Sequence, residues 1–91
     1  MKVAGNNYRK VRLSLGDMRD ETKDDQAVGF YDSDKGEIGV LKATFERERR
    51  ILWHEVVHII DETMLIGLTE EQVNVMAMLI DCAIQDNEEL R

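Results

Sequence analysis

Two histidines stand four residues apart in the second half of the chain, and a glutamate directly follows the first of them. These residues are His54, Glu55 and His58, and the chain has no other histidine. On an α-helix, residues i and i+4 share a face, so both imidazoles can bind one metal ion. In the pattern His-Glu-x-x-His, the glutamate is placed to take a proton from a water molecule at the metal. The spacing therefore predicts a zinc site, with His54 and His58 as ligands and Glu55 as general base.

A third protein ligand is needed, because catalytic zinc takes three and leaves one position open for water. Without a further histidine, the candidates are carboxylates and Cys82, for which a small buried apolar role is expected instead. Glu70 begins the next predicted helix, on the same stripe as Val73 and Ala77, which are expected to face inward. Glu70 is therefore the favoured third ligand, and Glu71 is the alternative. Acidic residues in a first turn also favour the helix dipole without any metal, which leaves a capping role open for both.

Two more carboxylates, Asp61 and Glu62, follow the motif on the same helical stripe. A polar stripe along an apolar segment needs partners, because burying unpaired polar groups is costly. Ligands from a second helix surround a tetrahedral ion better than ligands from one helix. We therefore expect Asp61 and Glu62 to support the site by accepting the N–H of an imidazole. Both also stay open as alternative ligands.

The motif lies on a helix that is predicted over about 45–65. Thr44 is a suitable N-cap, and Gly67 is the predicted stop. The charged first turns, over 46–50, are expected to be solvated. From Ile51 onward the helix is apolar on nearly all sides, which indicates burial within a small domain.

A second helix is predicted over about 70–85. Thr69 and Gln72 have the spacing of a capping box at its start. Apolar residues at helical spacing then continue to Ile84, which predicts one face packed on the motif helix.

The region before the motif helix, about 1–43, predicts a small antiparallel or mixed sheet. Alternating apolar residues over 11–15 predict a strand that ends at Gly16. The segment 17–26 is almost wholly polar and predicts a solvated loop or short surface helix with little part in the core. Residues 27–43 have the pattern of a hairpin with a glycine in its turn. The sequence thus predicts one α+β domain over 1–91.

The composition excludes some functional classes. The net charge of −7 disfavours nucleic-acid binding, which requires a basic surface. A single cysteine excludes an internal disulfide and favours a reducing compartment. The N-terminal residues lack the apolar core of a signal peptide, and no apolar run approaches membrane-spanning length. A cytoplasmic location without membrane contact is therefore expected.

Two stretches support a family resemblance: Leu52-Trp53-His54-Glu55-x-x-His58-x-x-Asp61 and Leu68-Thr69-Glu70-Glu71-x-Val73-Asn74-x-x-Ala77. Together they resemble the small phage- and prophage-encoded zincin metallopeptidases related to the ImmA/IrrE family. The resemblance covers roughly 28–84 and implies a minimal zincin-like domain, with a small sheet over two core helices. In that family, the glutamate of a Glu-x-x-Ala-Asn-x-Phe-Ala pattern ligates zinc. Here Glu70 takes that place, with Val73 for alanine and Met76 for phenylalanine.

These observations predict a zinc metallopeptidase that acts on a peptide or protein substrate. Glu55 would take a proton from water and transfer it to the leaving amine. If the strand over 37–41 is a sheet edge, an extended peptide could pair with it. Tyr31 and Tyr8 are candidates for stabilising the oxyanion, although an ordinary packing role is favoured for each.

Two other functional hypotheses remain open. The first is a non-catalytic, metal-stabilised domain of phage or prophage origin that binds a partner protein. The presence of Glu55 disfavours it, because a structural metal site needs no base. The second is a helical interaction module whose apolar residues face a partner, although we expect those residues to form the core. They are Ile59, Ile60, Met64, Leu65, Met76 and Met78.

Overall fold

The computed structural model describes all 91 residues, Met1–Arg91. The elements are, in chain order, β1 (Lys2–Val3), β2 (Asn6–Asn7), β3 (Arg9–Leu13), α1 (Leu15–Thr22), β4 (Gly29–Asp32), β5 (Glu37–Leu41), α2 (Phe45–Met64) and α3 (Glu70–Asp86), with a final 3₁₀ turn at Glu88–Leu90. Strands and one short helix thus precede two long helices, and the predicted α+β class is confirmed. No helix is both long enough and apolar enough to cross a membrane.

The main sheet is mixed and has the strand order β3-β5-β4, while β1 and β2 form a separate small hairpin. β5 lies in the centre, parallel to β3 and antiparallel to β4. In the β4–β5 turn, Asp32 Oδ1 accepts the N–H groups of Asp34 and Lys35. Gly39 of β5 has no side chain where the Phe30 ring crosses the sheet, and a Cβ there would collide with that ring. The predicted hairpin therefore forms the β4–β5 half of this sheet.

The first strand of the sheet ends earlier than predicted. β3 ends at Leu13, and the chain enters α1 before it reaches Gly16. Ser14 causes this change, because its Oγ accepts the N–H of Asp17 at 3.2 Å and caps the new helix. A polar side chain that satisfies a first-turn N–H thus overrides the alternating pattern that predicted a longer strand.

The polar segment over 17–26 takes a larger part in the core than predicted. Its first half belongs to α1, which packs against β3 and β5. Met18, the only apolar residue near the start of this segment, is fully buried. The prediction of little part in the core was wrong, because one apolar residue among polar neighbours produces no periodicity for the sequence to show.

The motif helix, α2, has the predicted extent. Thr44 Oγ1 accepts the N–H of Arg47 at 3.3 Å and caps its start. The helix ends at Met64, and Leu65 then takes the left-handed conformation, with φ of 53°. Gly67 follows with φ of 84°, so two nearby residues with positive φ turn the chain toward α3.

α2 is the central layer of the protein, because it packs on both sides. The larger apolar cluster joins the strands to α2 and contains Val3, Tyr8, Ile38, Val40, Ile51, Val56 and Ile59. The smaller cluster joins Val57 to Val73 and Ala77 of α3. Trp53 packs against both clusters. The motif helix is therefore held between the sheet and α3, as its apolar sequence predicts.

The charged start of α2 is not wholly solvated, because Glu48 is buried with 2% of its surface exposed. Its carboxylate accepts two hydrogen bonds from Arg12, at 2.9 and 3.0 Å, and one from the Ala43 N–H at 3.0 Å. Lys10 Nζ lies 3.2 Å away. Arg12 first, and then the Ala43 N–H, lower the pKa of Glu48 to about 2. The predicted solvation was wrong at Glu48, because β3 brings two basic residues to it.

α3 begins with the predicted capping box. Thr69 Oγ1 accepts the Gln72 N–H at 3.1 Å, and the Gln72 side chain accepts the Thr69 N–H at 2.9 Å. Asp81 is buried on the inner face, where its carboxylate accepts a 2.5 Å hydrogen bond from Arg49 of α2. Cys82 is exposed, and the expected buried role for it was wrong.

Candidate metal centre

The two histidines lie one turn apart on α2 and point toward the same space. His54 and His58 are half-buried, and their Nε2 atoms are 3.1 Å apart. The rings meet edge to face, with centroids 4.7 Å apart. The i, i+4 spacing therefore brings one ring nitrogen of each histidine to the same place, as the sequence predicts.

Glu70 completes this group from the first residue of α3. Its Oε1 lies 2.9 Å from His54 Nε2, and its Oε2 lies 3.1 Å from His58 Nε2. One ligand atom from each of the three residues lies within 4.8 Å of the others. We call these three residues the His54–His58–Glu70 cluster.

The distances in this cluster fit the ligand set of a small cation. Ligand atoms at about 2.0–2.1 Å from a tetrahedral zinc ion lie about 3.3 Å from one another. The two imidazole nitrogens are 3.1 Å apart, and each lies 2.9–3.1 Å from one oxygen of Glu70, Oε1 for His54 and Oε2 for His58. Two imidazole nitrogens and a carboxylate oxygen are also a donor set that catalytic zinc takes. The His54–His58–Glu70 cluster therefore suits a zinc ion, which the motif predicts.

Asp61 positions the loop that brings Glu70 to the histidines. Its Oδ1 accepts the N–H groups of Gly67 at 2.8 Å and Leu68 at 3.0 Å. Asp61 makes no hydrogen bond to either imidazole. Its role is thus to hold the connection between α2 and α3, and the predicted contact with an imidazole is absent.

The other candidate ligands lie outside the cluster. Glu71 is exposed and faces a different groove, beside Val75. Glu62 lies near Tyr31, and burial first, and then Glu62, raise the pKa of Tyr31. Cys82 is exposed further along α3 and is absent from the cluster. Of the candidates for third ligand, the structure brings only Glu70 to the histidines.

Glu55 lies beside the cluster and is buried, with 7% of its surface exposed. Burial first, and then the negative charge of Glu70, raise the pKa of Glu55 to about 7. Gly29 of β4 passes directly over Glu55, and a Cβ at Gly29 would lie 3.2 Å from Glu55 Oε1 and 2.7 Å from Ile51 Cγ2. A glycine is thus required for β4 to approach this carboxylate so closely.

A cleft of about 550 Å³ opens over Glu55 and the cluster. One wall comes from the chain that leads into β4, and the other from α2 and the start of α3. Arg47 and Arg50 also line it, seven and four residues before His54. Sequence analysis did not select these arginines, although helical spacing to His54 was the signal for them. Gly29 had no such signal, because its role depends on where β4 meets α2.

The strand considered for peptide pairing, β5, is not a sheet edge. β5 is central in the sheet, and β4 is the edge strand on the side of the cleft. The condition for peptide pairing at β5 is not met, because β3 pairs in parallel with its other side, a contact that local sequence does not show.

The two tyrosines considered for an oxyanion lie elsewhere. Tyr8 is in the core, with 4% of its surface exposed, and Tyr31 does not line the cleft. The packing role that the sequence favoured for each tyrosine agrees with these positions.

Comparisons with known proteins found no matching family model, no matching curated protein and no matching solved structure. The interpretation of the cleft therefore depends on its own geometry and on general chemistry.

Proposed function

We propose that this protein is a zinc-dependent metallopeptidase that hydrolyses peptide bonds in the cleft over Glu55. One observation supports the proposal most strongly. A buried glutamate lies beside a cluster of two imidazole nitrogens and one carboxylate whose spacing suits zinc. The proposal agrees with the resemblance to small zincin metallopeptidases, in which a glutamate of the later helix is a ligand.

In this proposal His54, His58 and Glu70 hold the metal. Bound zinc would lower the pKa of a water molecule toward about 7 and polarise the carbonyl of the scissile bond. Glu55 takes the proton from the attacking water and donates it to the leaving amine. A carboxylate held beside the metal can perform both transfers, and Glu55 is buried beside the cluster.

An extended peptide would lie along β4. An edge strand has N–H and C=O groups on one side that no strand of its own sheet pairs with, and a peptide backbone can bind to them. Such binding would place the peptide at the free edge of β4, in the cleft that Gly29 and the motif residues of α2 line. The absence of a side chain at Gly29 lets β4 come close to Glu55, so a peptide on β4 would lie near the general base. A reducing compartment such as the cytoplasm is the proposed location, since Cys82 is free and exposed.

The test uses the full chain and its Glu55→Gln variant. We expect the purified protein to contain about one zinc ion per chain by elemental mass spectrometry. Incubation with a peptide library should yield cleavage products that are detected by mass spectrometry. Glu55→Gln should keep the zinc and lower the cleavage rate by roughly 10²–10⁴-fold, since it removes the general base. The matched control is Glu62→Gln, a change of the same kind on the same helix outside the cleft.

Each contrary outcome has a distinct meaning. If the chain stays folded and takes up no zinc, the metal site is wrong. If zinc binds and no peptide is cleaved, or if Glu55→Gln cleaves as fast as the unchanged protein, the peptidase is wrong. The non-catalytic, metal-stabilised domain would then replace it.

A further inference from the structure

Arg47 and Arg50 bring two positive charges to the wall of the cleft. They are three residues apart on α2 and therefore share one face of the helix. Both side chains are exposed, and both line the cleft together with Glu55. Two neighbouring guanidinium groups can bind one carboxylate, because each has several N–H donors in a planar fork. The two arginines are therefore candidates for a contact with the substrate.

The acidic residues of the protein do not occupy these arginines. Arg47 takes part in none of the ion pairs. Arg50 lies 3.4 Å from Glu46 and 3.9 Å from Asp81, two long contacts of a side chain that is 61% exposed. Asp81 is bound more closely by Arg49, at 2.5 Å. Both guanidinium groups in the cleft thus keep N–H donors for a ligand.

The cleft has one other charged side chain away from the metal cluster. Asp24 is the only carboxylate that lines the cleft apart from Glu55 and Glu70. Its Oδ1 accepts the Gln26 N–H at 2.9 Å, in the turn before β4. Two positive charges and one negative charge therefore border this end of the cleft.

Little apolar surface is present with which the cleft could select a substrate. Only three of the residues that line it are hydrophobic, namely Ala27, Val28 and Ile51. A pocket that selects large apolar side chains is lined mainly by hydrophobic and aromatic residues. Charged and polar contacts are therefore the means of selection that this cleft offers.

The arginines lie on the path of a peptide that follows β4. Gly29 approaches Ile51 and Glu55, and Tyr31, two residues later, lies near Glu62. β4 and α2 therefore run in the same direction. The chain that leads into β4 consequently lies beside the start of α2, where both arginines are.

Helix geometry gives the distance of this contact from the metal cluster. Arg50 and Arg47 precede His54 by four and seven residues, which is about 6 and 10 Å along the helix axis. An extended peptide advances about 3.3 Å per residue. A group bound by the arginines would therefore be two or three residues from the bond that lies at the metal.

We propose that Arg47 and Arg50 select peptides that have a carboxylate two or three residues from the scissile bond. The inference rests on the proposed function, because it takes a peptide as the occupant of the cleft. The carboxylate can come from an Asp or Glu side chain or from the C-terminus of the peptide. Either one accepts charge-assisted hydrogen bonds from the two guanidinium groups.

The test measures binding and does not require cleavage. It uses the Glu55→Gln chain supplied with zinc and three fluorescently labelled peptides. The first repeats Ala-Ala-Glu with both ends blocked, the second repeats Ala-Ala-Gln with both ends blocked, and the third is the Gln repeat with a free C-terminus. A residue at every third position can reach the arginines in either direction of the peptide. Fluorescence anisotropy at physiological salt gives the three affinities.

We expect the Glu repeat to bind roughly tenfold more tightly than the blocked Gln repeat, since two exposed ion pairs contribute up to about 1 kcal/mol each. The net charge of −7 has the opposite effect, because it repels acidic peptides from the protein as a whole. A preference for the Glu repeat therefore requires a local basic contact.

Variants of the two arginines locate this contact. Arg47→Gln and Arg50→Gln should each lower the preference to roughly threefold, and the double variant should remove it, since the two side chains share the carboxylate. Arg9→Gln is the matched control, because Arg9 is exposed on β3, at the opposite edge of the sheet from β4. All variants should keep the zinc content and the circular dichroism spectrum of the Glu55→Gln chain.

Several results would overturn the inference. They are equal affinity for the two blocked peptides, no binding of any peptide, and a preference that the double variant keeps. An equal loss in Arg9→Gln would also do so, because it would show an effect of overall charge. If the Gln repeat with a free C-terminus binds as tightly as the Glu repeat, the C-terminus is a source of the carboxylate. If it binds no better than the blocked Gln repeat, the side chain is the source.

Failure of this inference can be distinguished from failure of the proposed peptidase. If the unchanged protein cleaves peptides and the binding test shows no preference for the Glu repeat, the peptidase stands and the selection by Arg47 and Arg50 is wrong. If no peptide is cleaved and the Glu repeat still binds through the arginines, the carboxylate site stands and the peptidase is wrong.

Discussion

α3 has a larger share of apolar residues than α2 but buries fewer of them. α2 lies between the sheet and α3, and its apolar residues Ile51, Val56, Val57 and Ile59 are buried. α3 packs on one side only, so Val75, Met76 and Leu79 remain exposed. Each helix also has one buried carboxylate that binds arginine: Glu48 with Arg12, and Asp81 with Arg49.

This difference in packing explains how a small domain can position the residues of a metal site. Two cluster residues and Glu55 come from the helix that is packed on both sides, where side chains are positioned most firmly. Only Glu70 comes from the helix with a free face. α2 is thus the scaffold of the cleft, and α3 both completes the cluster and presents a surface to the outside.

The largest expected effect is the loss of zinc affinity when a ligand is removed from α2 or from α3. We expect His54→Ala and Glu70→Gln to weaken zinc binding roughly a hundredfold or more, since even residues behind a ligand change affinity by about 10–100-fold. Glu71→Gln should leave the affinity unchanged, because Glu71 is one residue away but outside the cluster. Competition with a chromophoric chelator measures all three. An equal loss of zinc affinity in Glu70→Gln and Glu71→Gln would show that negative charge near the site matters and that Glu70 is not a ligand.

The second prediction compares burial on the two helices. Ile59→Ala should lower the free energy of unfolding by about 2–5 kcal/mol, because Ile59 is buried in the larger cluster. Leu79→Ala should change it by only about 0.5 kcal/mol or less, since Leu79 is exposed. Urea denaturation in the presence of a chelator measures both without a contribution from metal. A large loss in Leu79→Ala would mean that α3 has a second packed face.

The third prediction concerns the contact of β4 with α2. Gly29→Ala should lower peptide cleavage roughly tenfold with zinc retained, because the new Cβ would displace β4 from its place over Glu55. Gly16→Ala is the control, since a Cβ at Gly16 meets no atom within 4 Å. Unchanged cleavage in Gly29→Ala would indicate that the close approach of β4 has no role in the reaction.

The smallest predicted effect is on the stability of the fold, and it appears only at acidic pH. The pKa of Glu48 is about 2 in the folded protein and is ordinarily 4.5, so its charged form stabilises the fold. This contribution is complete above about pH 5 and is lost as the pH falls through 4.5 toward 2. Urea midpoints measured from pH 6 to pH 3 should therefore fall less steeply for Glu48→Gln than for the unchanged protein. Parallel slopes for the two proteins would contradict the depressed pKa of Glu48.

Features that depend on near neighbours in the chain were predictable. The extents of α2 and α3, the Thr69 capping box and the convergence of His54 with His58 all follow from spacings of three or four residues. Glu70 was predictable for the same reason, because helical phase places it on the inward stripe of α3. The β4–β5 hairpin was also predictable, since its turn residues are adjacent.

Features that depend on distant segments were not predictable. Glu48 is buried because β3 brings Arg12 and Lys10 to it from a segment far away in the chain. Met18 is buried because α1 packs on the sheet. Cys82 is exposed because nothing covers the outer face of α3.

The sequence by itself determined the chemical content of the cleft, namely two histidines and two glutamates at spacings that a helix converts into one site. Helical geometry is local, so these residues converge wherever the helices form. The tertiary structure decided which strand borders the cleft, that Asp61 holds the loop to α3, and that Gly29 lies over Glu55. Those outcomes depend on strand order and on the contact of sheet with helix, which result from packing across the whole chain.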